Sequence, residues 1–186
     1  MVHFSHEDLK SGLGREYVEH KRIPVSFVLV LGGHTFEALA LVDVLAPKVK
    51  PLYIVCDDNI LAKDKIRIPG PIDTIPTSFE AIRTKRFLGL LMDFFLFFKA
   101  LVKSFRILKM NGSKAVISCG SGSSLAPIIA AKVLGKKVIF IESACRVKSR
   151  SLCGNLVYTF FSDLFLVQWE EQIKAYPKAK YAGRPF

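Results

Sequence analysis

The first strongly patterned stretch of this chain constrains its fold more than any other feature. An apolar, β-branched run at residues 25–31 ends in Gly32-Gly33-His34-Thr35, and residues 36–45 then follow with helical spacing. The order of buried strand, glycine turn and helix is the repeating unit of an α/β fold. Glycines let the backbone approach a ligand closely, and a helix start offers unpaired N–H groups to an anion. Since histidine is the side chain best suited to accept a proton near neutral pH, the pattern predicts a phosphate-binding turn with a base, His34, beside it.

Strand-like and helix-like runs alternate along the rest of the chain. Strands are predicted at residues 25–31, 51–56, 72–75, 114–118, 137–142 and 164–167, and helices at about 36–45, 79–110, 125–134, 151–161 and 169–176. This alternation predicts an α/β fold with a Rossmann-like, mostly parallel, doubly wound sheet. We expect one domain over residues 23–186 after a polar N-terminal extension at 1–22.

A second glycine turn, Gly120-Ser121-Gly122-Ser123-Ser124, has the same arrangement as the first. It leaves a predicted strand and opens a predicted helix, so we expect it to cradle an anion, with Ser123 or Ser124 capping the helix. The alternative is that this segment is an ordinary strand-to-helix turn that binds no anion. Neither turn has the three-glycine spacing of a dinucleotide-binding fingerprint, which disfavours a nicotinamide-dependent oxidoreductase.

Glu142 ends the predicted strand at 137–142. The carboxyl ends of parallel strands share one edge of the sheet, so Glu142 is expected to face the same crevice as His34 and Gly120. There it would orient the histidine or bind sugar hydroxyls. The alternative is an ion pair with Arg146 or Lys148.

The segment at residues 83–109 is unusually aromatic and basic. Helical spacing places Phe94, Phe98, Leu101, Phe105 and Leu108 on one face, which we expect to join the core. The opposite face carries basic residues towards the C-terminus and apolar ones towards the N-terminus: Lys99, Lys103, Arg106, Leu88, Met92 and Phe95. This face fits docking on an anionic membrane surface. Burial beneath a neighbouring loop or a partner subunit is the alternative.

Composition narrows the classes of partner. A formal net charge of +11, from 27 Lys and Arg against 16 Asp and Glu, favours anionic partners. No nucleic-acid-binding motif appears, so no nucleic-acid partner is expected. The four cysteines form no CxxC pair, so no metal site is expected. No run approaches the ~20 uncharged apolar residues of a membrane-spanning helix, and residues 1–22 contain no secretory signal.

Taken in order, these segments resemble a known family over about residues 25–184. The residues that carry the resemblance are Leu31 to Thr35, Gly120 to Pro127, Ile141-Glu142-Ser143, Arg146 to Ser149, Ser151-Leu152, Val167-Gln168-Trp169, Tyr176-Pro177 and Tyr181 to Arg184. The family is that of the acceptor-side, membrane-associated subunit of the heteromeric UDP-N-acetylglucosamine transferase of asparagine-linked glycosylation (Alg family). A more distant similarity is to MurG.

The resemblance implies the N-terminal half of a GT-B glycosyltransferase, without cofactor or metal. A separate donor-binding glycosyltransferase subunit would bring the UDP-sugar, and a polyprenyl- or dolichyl-diphosphate-linked sugar would accept N-acetylglucosamine. His34 and Glu142 would be catalytic, with His34 as the base. The residues implied to bind the acceptor diphosphate are Gly32, Gly33, Thr35, Gly120, Ser121, Gly122, Ser123 and Arg146.

The resemblance also implies peripheral attachment to the cytoplasmic face of a membrane, the endoplasmic reticulum in a eukaryote or the plasma membrane in an archaeon or bacterium. Eukaryotic members carry an N-terminal membrane anchor, whereas residues 1–22 here are polar. Two alternatives stay open: a non-catalytic membrane scaffold, and an exopolysaccharide glycosyltransferase subunit that transfers another sugar.

Overall fold

A parallel β-sheet organises the computed structural model, which describes residues 22–78 and 87–184, the side chains of 87–90 excepted. Within those ranges the sheet has seven strands, in the spatial order β3-β2-β1-β4-β5-β6-β7, and every pair is parallel. The strands are β1 (Ile23–Leu29), β2 (Val49–Cys56), β3 (Ile72–Ile75), β4 (Ala115–Ser118), β5 (Lys137–Ile141), β6 (Leu164–Val167) and β7 (Lys180–Tyr181). The predicted fold class is confirmed.

Helices cover both faces of this sheet. They are α1 (Gly33–Leu45), α2 (Phe87–Met110), α3 (Leu125–Val133) and α4 (Leu152–Phe160), with 3₁₀ helices at Ile60–Lys65, Gly122–Ser124 and Glu170–Lys174. Alternate residues of β1 enter two separate cores: Phe27 and Leu29 pack with α1, whereas Val28 packs with α2, α3 and α4. Because β1 is covered on both sides, its sequence is almost continuously apolar.

The strand order contains a topological switch between β1 and β4. From β1 the chain moves outward to β2 and β3, and it then returns to β4 and proceeds to the other edge. Val28 pairs with both Ile54 and Ser118, so β1 and β4 are direct neighbours. Ligands of open α/β sheets bind outside the carboxyl ends of the strands at such a switch. Both glycine turns leave these two strands at that point.

Several predicted boundaries differ from the structure. The predicted helix at 169–176 is wrong: only Glu170–Lys174 is helical, and it is a 3₁₀ helix. Its Gln172 side chain turns back to accept hydrogen bonds from the N–H groups of Gln168 and Trp169, which favours a tight turn over an α-helix. The predicted start of α2 at residue 79 and the extension at 1–22, Arg22 apart, lie outside the described residues.

The rotation of α2 also differs from the prediction. Phe94 and Phe98, expected in the core, are 73% and 58% exposed, and Leu101 and Phe105 are half-buried. Of the predicted core face only Leu108 is fully buried. The line that faces the protein instead is Asp93, Ala100, Ser104, Ile107 and Leu108. The small side chains at 100 and 104 let α2 approach α3 closely, which the hydrophobic pattern of the sequence does not reveal. Among the described residues, no helix has both the length and the apolar character needed to cross a bilayer.

This rotation predicts different effects for two residues that the sequence pattern places on one face. Replacing Leu108, which is fully buried, with Ala should lower the free energy of unfolding by about 2–5 kcal/mol. Phe94→Ala should change it by less than about 0.5 kcal/mol because that ring is exposed. Urea denaturation measures both, and equal losses would contradict the observed rotation.

Candidate functional site

A cavity of about 610 Å³ opens at the carboxyl edge of the sheet, above the switch between β1 and β4. Both glycine turns, the loop after β5 and the start of α4 form its walls. It brings together seven of the site residues predicted from sequence: Gly33, His34, Gly120, Ser121, Gly122, Glu142 and Arg146. Gly32, Thr35 and Ser123 are outside its lining.

The first turn is shaped by Gly32, whose φ of +79° is a conformation that favours glycine. Helix α1 begins directly after it, and no side chain caps the helix. Thr35 does not face the cavity: it is buried and its hydroxyl donates to the Val30 carbonyl. Asn59 donates to the same carbonyl at 3.0 Å and to the Thr35 hydroxyl at 2.8 Å. The side chain of Thr35, predicted as a diphosphate-binding residue, is therefore engaged within the protein, where Thr35 and Asn59 hold the turn in shape.

The second turn contains unusual backbone. Gly120 has a φ of +114°, and Ser121 has φ +67° and ψ +144°, a region that costs a non-glycine residue about 1–3 kcal/mol. Two side chains fix the Ser121 carbonyl: the Ser124 hydroxyl donates to it at 2.7 Å and the Cys153 thiol at 3.1 Å. The strained residue is thus held in place at the cavity wall.

The serines of this turn do not act as predicted. Ser123 is buried, and its hydroxyl donates to the Ser78 carbonyl at 2.9 Å, so it points away from the cavity. Ser124 precedes α3 but makes no side-chain cap, since its hydroxyl is bonded to Ser121. The Ser123 hydroxyl is thus unavailable to a diphosphate in the cavity, and the expected serine cap of α3 is absent.

His34 joins the two turns physically. A Cβ placed on Gly120 would lie 2.9 Å from Cε1 and 3.1 Å from Nδ1 of the His34 ring. The ring therefore occupies the space that a side chain at position 120 would fill. Nδ1 is the buried nitrogen of this ring, so Nε2 is the nitrogen left to face the cavity.

The carboxylate beside His34 is Glu37, which the sequence analysis missed. Its Oε2 lies 3.7 Å from His34 Nδ1, one turn along α1, and its Oε1 accepts the Ala144 N–H at 3.1 Å. The signal was present in the sequence, because residues three apart on a helix share a face. The apolar periodicity of residues 36–45 assigns this segment to a helix without distinguishing Glu37.

Glu142 has different partners from those expected. It is fully buried, and its carboxylate accepts hydrogen bonds from the Ser143 N–H at 3.0 Å and from the Tyr176 hydroxyl. The Ser151 hydroxyl lies 2.9 Å from its Oε1, and a Cβ on Gly154 would collide with its Oε2. Neither the predicted orientation of His34 by Glu142 nor the alternative ion pair with Arg146 or Lys148 is present among the described residues. Glu142 organises the cavity wall.

Burial governs the ionisation of several groups in this wall. Burial, and then the hydrogen bond to Glu142, raise the pKa of Tyr176 well above its usual value, which keeps its hydroxyl protonated as a donor. Burial raises the pKa of the Cys153 thiol to about 12, so it too remains a donor near neutral pH. A protonated, hydrogen-bonded thiol is a poor nucleophile, which argues against covalent chemistry at Cys153.

The loop after β5 supplies positive charge. Arg146 is exposed at the cavity, and its guanidinium is 3.5 Å from the Ser149 hydroxyl. Arg150 is held differently, over the Tyr176 ring at 5.0 Å and bonded to Asn155 at 2.7 Å. Of these two, Arg146 is the cation available to an anion in the cavity. The indole N–H of Trp169 donates to the Ala144 carbonyl at 2.7 Å and supports the same loop.

Two solved structures share the fold of this chain. MurG from Acinetobacter baumannii matches with a TM-score of 0.65 at 19% identity, over 87% of this chain and 45% of that one. UDP-N-acetylglucosamine 2-epimerase from Rickettsia bellii matches with a TM-score of 0.64 at 13% identity, over 88% and 45%. The chain thus spans under half of each, and its fold is that of one Rossmann-like domain of a GT-B glycosyltransferase.

Sequence comparison identifies the family. The family model described as "Oligosaccharide biosynthesis protein Alg14 like" matches residues 25–185. UDP-N-acetylglucosamine transferase subunit ALG14 from Rattus norvegicus is 31% identical over 170 residues, covering 82% of this chain and 78% of that protein. The Schizosaccharomyces pombe subunit is 31% identical over 165 residues, with the same coverage. The UDP-N-acetylglucosamine--N-acetylmuramyl-(pentapeptide) pyrophosphoryl-undecaprenol N-acetylglucosamine transferase of Streptococcus pyogenes is 29% identical over 166 residues, 84% of this chain and 43% of that enzyme. The chain belongs to the Alg14 family, and the resemblance seen in the sequence is confirmed.

The contact between His34 and Gly120 predicts a loss of stability when alanine replaces Gly120. Gly120→Ala should lower stability by more than the roughly 1–3 kcal/mol of backbone strain alone, because the new methyl group meets the His34 ring. Gly135→Ala also places alanine at positive φ, +67° against +114° at Gly120, and has open space around its Cβ, so it shows the effect of positive φ without a side-chain contact. Urea denaturation and the His34 ring resonances in NMR measure the two effects. Unchanged His34 resonances in Gly120→Ala would contradict the packing.

Proposed function

We propose that this chain is the acceptor-binding subunit of a UDP-N-acetylglucosamine transferase and acts with a separate donor-binding subunit. The observation that carries the proposal is the convergence of His34 and both glycine turns on one cavity at the sheet switch. The family supports the reaction, since the rat and yeast relatives are named as subunits of that transferase. The word subunit in those names also supports a separate donor-binding chain, and the match to MurG from Acinetobacter baumannii covers 45% of that structure.

The cavity suits the diphosphate of a lipid-linked acceptor. Helix α1 presents an uncapped N-terminus at Gly33, and the backbone of Gly120, Ser121 and Gly122 forms the adjacent wall. Arg146 adds an exposed guanidinium that can bind phosphate oxygens in a bidentate manner. We retain these five residues as the diphosphate-binding set. Gly32 contributes by shaping the turn.

In this proposal His34 acts as the general base. Its Nε2 takes the proton of the attacking sugar hydroxyl as that oxygen bonds to the anomeric carbon of the donor. The bond from the anomeric carbon to the diphosphate breaks, and its electron pair leaves with UDP, so the configuration at that carbon inverts. The donor-binding subunit holds the leaving group.

Replacement of the base gives the direct test. In the complex reconstituted with its donor-binding subunit, His34→Gln should lower transfer from UDP-N-acetylglucosamine to a polyprenyl-diphosphate-linked N-acetylglucosamine by about 10²–10⁴-fold. The control is Glu171→Gln, an exposed change away from the cavity. Product formation is measured by chromatography of radiolabelled lipid.

Three outcomes separate the alternatives. Full activity in His34→Gln would exclude the general-base role. Transfer from UDP-glucose but not from UDP-N-acetylglucosamine would favour an exopolysaccharide enzyme. A complex whose activity depends on membrane binding but not on His34 would favour a scaffold.

We further propose that the first half of α2 docks on an anionic membrane surface at the cytosolic face. Leu91, Met92, Phe94, Phe95 and Phe98 are 58–73% exposed, a concentration of apolar surface that water does not favour. Of the predicted docking residues, Met92 and Phe95 are among them, and the side chain of Leu88 is outside the described set. The exposed residues Lys99, Lys103 and Arg106 follow along the helix and can bind lipid phosphates.

The position of this surface supports its link to the cavity. Helix α2 has 24 residues, a length of about 36 Å, whereas α3 has nine, about 14 Å. Since α2 follows β3 and returns to the start of β4, its first half lies towards the carboxyl edge of the sheet. Ser123 of the second turn bonds to Ser78, in the connection between β3 and α2. An acceptor lipid in the membrane would thus present its diphosphate near the cavity.

Vesicle binding tests this docking surface. Phe94→Ser with Phe95→Ser should weaken binding to vesicles of phosphatidylcholine with 30% phosphatidylglycerol by about tenfold or more per ring, since each loses much of the ~1.5–3 kcal/mol of phenylalanine burial. Phe160→Ser, on α4, is the control because that ring is 66% exposed but lies elsewhere. Equal effects of all three changes in flotation assays would count against docking through α2.

A further inference from the structure

We propose that Glu37 is a positioning residue that determines which nitrogen of His34 carries the proton. The proposal deepens the function given above and rests on His34 as the base. Glu37 would hold the neutral imidazole as the Nδ1–H tautomer and leave the lone pair of Nε2 free for the acceptor hydroxyl.

The carboxylate of Glu37 is anchored on one oxygen and free on the other. Oε1 accepts the Ala144 N–H at 3.1 Å, while Oε2 is buried and has no hydrogen bond among the described residues. His34 Nδ1 is likewise buried and without a hydrogen bond in the described part of the chain, 3.7 Å from Oε2. Two buried polar atoms that lack partners and face each other satisfy one another after a shift of less than about 1 Å.

Among the described residues of the site, the other carboxylate, the nearby thiol and the arginine do not compete with Glu37 for this role. Glu142 is engaged by Ser143, Ser151 and Tyr176. The Cys119 thiol is buried beside Glu37, and burial and the charge of that carboxylate raise the pKa of Cys119 well above its usual value. Arg146 is exposed on the loop and carries only donors. Glu37 is therefore the acceptor for Nδ1–H.

The arrangement also stabilises the product of proton transfer. When Nε2 takes the proton of the acceptor hydroxyl, the imidazolium formed lies against the Glu37 carboxylate. Because Glu37 is 5% exposed, that attraction is weakly screened by water. In this proposal Glu37 acts through His34.

Glu37→Gln is the informative variant because the amide has one acceptor and one donor end. Its oxygen is required by the Ala144 N–H, so its NH₂ replaces Oε2 and donates to Nδ1. That reverses the tautomer and puts a proton on Nε2, where the base needs a lone pair. Glu37→Asp keeps a carboxylate and should partly preserve the wild-type tautomer.

Long-range ¹H–¹⁵N NMR of the isolated chain reads the tautomer without any partner. The chain has four histidines, and the others, His3, His6 and His20, precede the described residues, so loss of one set of resonances in His34→Gln assigns His34. We expect Nδ1–H in the wild type and in Glu37→Asp, and Nε2–H in Glu37→Gln. Nε2–H in the wild type, or no change in Glu37→Gln, would overturn the proposal.

Kinetics of the reconstituted complex supply the second readout. Glu37→Gln should lower kcat for sugar transfer by about 10²–10⁴-fold with a smaller change in the acceptor KM, and Glu37→Asp should recover part of it. A loss of equal size in Glu37→Asp and Glu37→Gln would indicate a merely structural role and overturn the proposal. If the tautomer switches but His34→Gln transfers sugar at the wild-type rate, the positioning holds and the proposed base role fails.

Discussion

Contact between the two glycine turns is the constraint on which the rest of the site depends. Adjacent parallel strands lie about 4.8 Å apart, so the segments leaving β1 and β4 must pass each other closely. They do so because Gly120 has no side chain, and the His34 ring takes the vacant space. The same glycine fixes the direction in which the imidazole points. A site assembled from two turns thereby becomes one surface, with the ring as the contact between them.

Much of this arrangement could be read from the sequence, and the reason is topological. Strand–turn–helix units predict a parallel sheet, and a parallel sheet puts every strand end at one edge, so His34, Gly120 and Glu142 could be placed together from their positions alone. The directions of individual hydroxyls could not. Thr35 and Ser123 have the residue type of phosphate ligands, but their partners, Asn59 and Ser78, are 24 and 45 residues away. Local sequence patterns do not predict hydrogen bonds between residues so far apart in the chain.

The rotation of α2 was unpredictable for a related reason. Hydrophobic periodicity locates a core face only where the other face is polar, and in the first half of this helix the one charged residue, Asp93, lies on the face toward the protein. Small residues determine the rotation of α2. Ala100 and Ser104 are fully buried where α2 meets α3, and Phe94 and Phe98 turn outward as a result. An exposed apolar surface was correctly inferred, but the residues that form it are only partly those expected.

The two carboxylates at the site are coupled through the short segment that joins them. Glu142 fixes the segment by accepting the Ser143 N–H, and Ala144 then presents its own N–H to Glu37. From beneath, Gln168 donates to the Glu142 carbonyl and Trp169 to the Ala144 carbonyl. The end of β6 thus supports a loop that orients Glu37, which faces His34. Glu142 is therefore connected to His34 through this loop and Glu37, and the hydrogen bonds that its carboxylate accepts offset the cost of burying it at a strand end.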